Sequence, residues 1–358
     1  MPRRIPVNVV FGPSWWNRHY GIEFLEPFYL DPETRIRNDA IMRRALFERF
    51  SVGEPPFERR PVIGSRHIAG GFVMPALFGV PIRFSKDQAA WPAPRNLDRE
   101  SIVALRAPAI ESTWPMDELI RQANSLEREF GYLTGDWNTA GILNTSVEVR
   151  GNELFMDLVE APEVTDHLFR IVTETMIGVG RFLRERAGTT SIAVNRSVAD
   201  VDPSIHLTSN CSVSMISPGL YERRVLPYEM RLAECLAPFG IHHCGSNLQR
   251  YGPQYSRMPV CFFDVGAGSD VAVCSRLFPN AFLNLRISPV HMLQHSADDV
   301  YLEVLGLLKA CGRIRDAGVC SINMDGQTPD ANVKALFQAA LDFEAQTAAD
   351  PPAGARSN

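Results

Sequence analysis

Apolar residues in the C-terminal half of the chain switch between helical spacing and short continuous runs, and this alternation predicts most of its elements. In "SPGLYERRVLPYEMRLAECLAPFG" (217–240), Leu220, Val225, Leu226, Leu232 and Leu236 form an apolar stripe at helical spacing. Ser217 suits the N-cap, Pro218 the first helical position and Gly240 the C-terminal stop, while Pro227 predicts a kink. The run "GIHHC" then reads as a short strand. "VCFFDVG" (260–266), "AFLNLRIS" (281–288) and "GVCSINM" (318–324) read the same way. Helices are expected between them: 269–279 capped by Ser269, 288–312 broken near Ser296, and 328–346 with Pro329 at its start.

The middle of the chain follows the same scheme, with a long helix over 161–188 and a strand-like "SIAVNRSV" over 191–198. Nearer the N-terminus, 31–50 reads as a helix after Asp31. The stretch 51–111, rich in proline, glycine and aromatic residues, predicts an irregular cap or barrel-edge loops. Residues 347–358 are expected to be a disordered tail. Strands alternating with helices imply parallel pairing through crossover connections. Polar and reactive residues recur at the C-terminal ends of the expected strands: Asn195 and Arg196, His242 and Cys244, Asp264, Arg286, Cys320. In a (β/α)8 TIM barrel those ends form the active-site face. A doubly wound sheet also binds at strand ends, but no G-x-G-x-x-G or G-K-[ST] turn follows any strand. The expectation is one α/β TIM-barrel domain over 1–346, with 1–111 supplying an N-terminal segment and edge loops.

Composition narrows the partners. The 358 residues are 45% hydrophobic and carry a net charge of −5 without a basic block, which argues against nucleic acid and anionic membranes. The first residues, "MPRRIPVNVVFGPSWW", lack the apolar core of a signal peptide, and no window approaches ~18 uninterrupted apolar residues. The seven cysteines, at 211, 235, 244, 261, 274, 311 and 320, are odd in number and scattered. That pattern argues for a reducing cytoplasm and thiolate chemistry rather than a disulfide framework.

The chemistry concentrates in "GIHHCGSN". On a strand, His242 and Cys244 project to one face and His243 to the other. Imidazole nitrogen and thiolate sulfur are both good zinc donors, and a catalytic zinc takes three protein ligands with one position open. Cys320, on the last expected strand, is well placed as the third donor. Cys211, in a loop before a helix, is weaker, and Cys235, Cys261, Cys274 and Cys311 read as small buried hydrophobes. Taken singly, each of these donors also fits an inert core residue.

Other residues invite roles of their own. Asp264 could orient a zinc-bound histidine or act as a base, against a capping or ion-pair role. Asp136, a candidate catalytic group facing the pocket as a hydrogen-bond acceptor, and Asn144, a candidate for binding substrate, fall in a glycine-rich stretch expected to be a strand and its following loop, with a turn or cap role at least as open for Asp136. Arg286 is a candidate for binding a substrate anion, and Asn210 for a substrate polar group. Phe11, Trp15 and Trp16 suit either a pocket wall or packing beneath the barrel. His67 is isolated.

Several separated segments, in order, resemble the uroporphyrinogen decarboxylase superfamily: "GNELFMDLVEAPEVTDHLFRIVTE", "SMISPGLYERRVLPYEMRLAE", "GIHHCGSN", "FPNAFLNLRISP" and "GVCSINMDGQTPDANVKALFQAA". The likeness covers about residues 130 to 346 and is nearest to the zinc-dependent cobamide methyltransferase branch. It implies a TIM barrel with zinc held by His242, Cys244 and Cys320. It also implies a methyl group carried as methylcobalamin, or on another corrinoid, by a separate corrinoid protein. The acceptor would be a small-molecule thiol or tetrahydrofolate. No cobalamin-binding D-x-H-x-x-G stretch occurs in this chain, so the corrinoid is expected on the partner. The alternative is a metal-independent decarboxylase or lyase of the same superfamily. It fits less well, because the arginine-rich N-terminal run of that enzyme is absent and only Arg18, Arg196 and Arg286 are available as cations.

Overall fold

The computed structural model describes residues 5–65, 67, 71–189, 197–313 and 315–349. Its eight strands are β1 (Val7–Phe11), β2 (Ile82–Arg83), β3 (Trp91–Pro92), β4 (His206–Ser209), β5 (Phe239–His243), β6 (Val260–Val265), β7 (Phe282–Ile287) and β8 (Ala317–Met324). β2 and β3 form a small antiparallel pair. The other six make one parallel sheet in the order β1-β8-β7-β6-β5-β4, curled into a half-barrel with helices outside. Buried apolar residues on both faces of these strands explain their unbroken apolar runs. Among the described residues, the rest of the ring has only one isolated parallel bridge, Val62 to Thr134. Two hydrogen bonds flank it: Ile63 N–H donates to Thr134 at 2.9 Å, and Thr134 N–H to Pro61 at 3.1 Å.

Most expected elements are present. The helix Pro32–Phe50 starts at Asp31, whose carboxylate accepts from the Thr34 N–H, and the helix Pro162–Ala187 is continuous. The stripe after Ser217 is two helices, Pro218–Arg224 and Leu226–Cys235, broken where Pro227 removes a donor. Ser296 caps the helix Ala297–Cys311 reciprocally with Asp299, so the break expected there is a turn between two helices. Residues 51–111 are largely irregular.

Five details differ from expectation. Gly240 does not stop a helix; it lies inside β5, where a Cβ would press 3.1 Å from Phe262 of the next strand. The helix Val271–Leu277 is capped by Asp270 rather than Ser269, whose hydroxyl instead faces the Gly245 carbonyl and the Leu248 N–H. Asn144 sits on the helix Ile142–Arg150, since Gly141 supplies an extended N-cap. The final helix begins at Asp330 and continues to Ala349, so Thr347, Ala348 and Ala349 are helical rather than tail. Of the strand expected over 191–198, residues 191–196 lie outside those described, Asn195 and Arg196 among them, and Ser197 opens a helix, Ser197–Val201. The residues 350–358 also lie outside.

Phe11, Trp15 and Trp16 are fully buried, with Trp15 stacked on Phe11 at 3.9 Å, so they pack in the core rather than line a pocket. Among the described residues no helix is long and apolar enough to cross a membrane.

Candidate metal centre

Parallel pairing sets the site. His242 on β5 lies beside Ser209 on β4 and Asp264 on β6, and Asp264 lies beside Asn284 on β7. Paired residues point to one side of a sheet, so His242, Asp264 and Asn284 form a continuous polar row. The row is fully bonded at its centre. His242 donates from Nδ1 to Asp264 Oδ2 at 2.8 Å, and Asn284 donates from Nδ2 to Asp264 Oδ1 at 2.7 Å. All three residues are buried. With Nδ1 committed, His242 has Nε2 left for a ligand, the arrangement in which a carboxylate fixes the tautomer of a metal-binding histidine.

Two residues beyond Ser209 and His242 stand Cys211 and Cys244. One ligand atom each from Cys211, His242 and Cys244 lie within 4.8 Å of one another. His242 is buried, Cys211 half-buried and Cys244 exposed, so the cluster opens to solvent through Cys244. The chain turns sharply after Cys244: a Cβ at Gly266 would fall 2.0 Å from the Gly245 carbonyl oxygen, so only glycine lets this loop cross the end of β6. Likewise, a Cβ at Gly141 would sit 1.8 Å from the Ser209 oxygen, two residues before Cys211.

The charges in the cluster are interlocked. The Cys211 thiol and His242 both hydrogen-bond to Cys244, holding its thiol well below the usual range. Cys211 is pushed up by that bond and by burial. The hydrogen bond between the two sulfurs thus favours the charged form of Cys244 and disfavours that of Cys211. Burial works to lower the pKa of His242, but Asp264 and Cys244 outweigh it and the net shift is upward. His243, on the opposite face, is lowered to about 4 by burial and stays neutral. It makes 3.0 Å and 3.2 Å hydrogen bonds with the Tyr255 hydroxyl and Asn247 Oδ1.

Cys320 lies outside the group of three. It is fully buried in the middle of β8 rather than at its end, paired with Arg286 and Asn8. β8 is three strands along the sheet from β5, and neighbouring strands are ~4.8 Å apart. Its sulfur accepts from Asn284 Nδ2 at 3.2 Å, and burial followed by Asp264 pushes its thiol well up. Arg286 stands on the strand between β6 and β8, and its Nη1 donates to the Cys244 sulfur at 3.6 Å. Burial opposes its charge, but Cys320 and Cys244 more than offset this. No carboxylate forms a salt bridge with Arg286 among the described residues, and its Nε is buried with no protein partner.

The remaining candidates divide by location. Asn144 borders the cluster: its Oδ1 accepts from the Ser212 N–H at 2.9 Å, and its side chain hydrogen-bonds Cys211. Asn210 turns away, donating to Glu229 at 3.1 Å and to the Tyr255 hydroxyl at 3.3 Å inside a buried network with Tyr221. Burial raises Glu229 to about 7 in that network. Asp136 is buried and lines a separate cavity with Arg35, Tyr29 and Trp137. His67 is buried 3.3 Å from Asp39, which also receives Arg60. Asn284 escaped notice in the sequence, although a polar residue two before Arg286 in "FLNLRI" marks one polar face of an otherwise apolar strand.

No family description matches the sequence, and no curated protein matches it. Among solved structures, a methyltransferase from Methanosarcina mazei is similar at TM-score 0.67 and 15% identity, over 96% of this chain and 95% of that one. A B12-independent methionine synthase from Shewanella sp. W3-18-1, in complex with selenomethionine, is a distant likeness at TM-score 0.42 and 11% identity, over 64% of this chain and 67% of that one. With parallel strands curled into a half-barrel and the Methanosarcina protein matched over nearly its whole length, the chain has an α/β barrel fold of the TIM type shared with that protein.

Proposed function

We propose that this chain is a zinc-dependent methyltransferase that moves a methyl group between a corrinoid carried by a partner protein and a thiol or folate acceptor. The observation that carries this reading is the convergence of Cys211, His242 and Cys244 to within 4.8 Å, with Asp264 fixing the histidine's tautomer. Two sulfurs and one imidazole are a zinc-type donor set, and three protein ligands leave room for a fourth. When bound, zinc would hold an incoming thiol as thiolate at neutral pH, where a free thiol with pKa ~8.5 is mostly protonated. The fold likeness to a protein described as a methyltransferase supports the same reading.

The chain's own residues supply the rest. The surroundings of Cys244 favour its thiolate, the form that binds a metal, and metal uptake would displace the protons that Cys211 and His242 share with it. Asn284 and His242 hold both oxygens of Asp264, which keeps that carboxylate from competing as a ligand. Arg286, a cation beside Cys244 with no carboxylate salt bridge among the described residues, suits an acceptor whose far end is anionic. Cys320 is the remaining sulfur near this cation, and its protonated, buried state sets it apart from Cys244.

Metal analysis joined to a transfer assay tests this. The purified chain should hold about one zinc at the sulfur site, and Cys211→Ser, His242→Ala and Cys244→Ser should each lose it. Asp264→Asn should weaken retention by about 10- to 100-fold. Cys320→Ser should retain the metal; loss there, with retention in Cys211→Ser, would put the third ligand on β8. Methyl transfer from methylcobalamin to small anionic thiols should fail in the metal-free protein. Full methyl transfer without metal would overturn the zinc role, and decarboxylation of a carboxylate substrate by the metal-free protein would instead favour the decarboxylase class.

A further inference from the structure

A second group of donors lies on the same end of the sheet, in the segment that follows β7. His291 is on the helix Pro289–Gln294, His295 is the residue that ends it, and Glu303 is on the helix Ala297–Cys311. One ligand atom from each lies within 4.8 Å of the others. His291 Nδ1 is 3.0 Å from one Glu303 oxygen and 3.1 Å from the other. The two imidazole rings are nearly parallel, 13° apart, with centroids 4.3 Å from each other. We infer that His291, His295 and Glu303 form a second binding site, for a divalent transition-metal ion, distinct from the sulfur cluster.

The scaffold around these donors is fixed independently of any ion. The His295 N–H donates to the His291 carbonyl at 2.9 Å. The buried Asn332 donates from Nδ2 to the Met292 carbonyl at 3.0 Å and to the His295 carbonyl at 2.8 Å, clamping the end of the first helix. One residue later, Ser296 and Asp299 form the reciprocal cap that starts the second helix. The turn between the donors is therefore held on both sides, so little ordering entropy remains to be lost on binding. Metal–ligand distances of ~2.0–2.2 Å need donors about 3.4 Å apart, and small side-chain rotations bring groups within 4.8 Å to that spacing.

Donor type narrows the ion. Two imidazoles and one carboxylate favour Zn2+, Co2+, Ni2+ or Cu2+ over Mg2+ and Ca2+, which prefer oxygen. The exposure of His295 leaves solvent free to fill the remaining positions. The ion would take the place of the proton between His291 and Glu303.

Zinc and cobalt(II) titrations of the full-length chain test the inference, with His295→Ala and Glu303→Gln as variants. Both side chains are at least partly solvent-exposed, and an unchanged melting temperature in metal-free buffer would establish intact folding. The wild type should bind two equivalents of zinc, and each variant should bind the second at least 10-fold more weakly. With cobalt, the sulfur-to-metal charge-transfer band reports the cluster at Cys244 alone, so it should be unchanged in both variants. Wild-type protein binding a single equivalent that both variants keep would overturn the inference. Loss of one equivalent in Cys244→Ser but none in His295→Ala would also overturn it and leave the proposed methyltransferase site untouched. The reverse result would sink that proposal and keep this one.

Discussion

Burying an imidazole costs free energy unless its nitrogens are met, and three histidines of the sheet stand differently toward this demand. His242 has Asp264, which keeps Nδ1 protonated and turns Nε2 to the cysteines. His243 has Tyr255 and Asn247 and is neutral. His206 is fully buried, stacked on Phe239, and neither ring nitrogen has a hydrogen-bond partner among the described residues; burial and then Arg184 lower it to about 3. A folded pKa below the unfolded value of about 6.5 means stability is complete above about pH 6.5 and is lost as pH falls toward 3. His206→Phe should remove this loss. Relative to wild type, the variant should gain about 3 kcal/mol between pH 7 and pH 4 in denaturant titrations, and a pH-independent difference would refute the assignment. The period-two spacing of His242 and Cys244 was readable in the chain because it depends on one strand alone. Whether Cys211 or Cys320 stands beside them depends on which strands are neighbours, and no local pattern encodes that.

Elements were legible wherever the apolar spacing was regular and a cap was present, as at Ser217 and Ser296. β4 was missed. Its four residues, "HLTS", carry no apolar run, and they are buried because the sheet surrounds them rather than through their own hydrophobicity. The choice between Ser269 and Asp270 as a cap shows a similar limit. Either side chain can accept from a helix N-terminus, but Ser269 is engaged by the loop after Cys244. Asp270 accepts from the Val273 N–H at 2.9 Å. Asp270→Ala should therefore cost about 1 kcal/mol of global stability without altering metal content. Ser269→Ala should act mainly on the site, and a larger stability loss in Ser269→Ala than in Asp270→Ala would contradict this division.

For the whole molecule, strand–helix alternation was enough to choose a barrel, and the structure agrees for the six strands that carry the candidate site. The remainder of the ring was illegible for a physical reason. Among the described residues Val62 and Thr134 meet in one bridge, and the segments around it owe their places to glycines and to packing rather than to periodic strands. β4 is the last strand of the hydrogen-bonded order among the described residues, with β5 beside it. End strands fray and recruit wrong partners unless something secures them. Cys211 follows β4 and Cys244 follows β5, so an ion shared by the two would work as a rivet joining these two neighbouring strands. Hydrogen exchange with and without zinc can detect this: chelation should speed exchange at Leu207 and Thr208 and leave Leu285 on β7 unchanged. In that case loading the ion would also protect this end of the half-barrel from misassembly, a mechanical benefit that persists between turnovers.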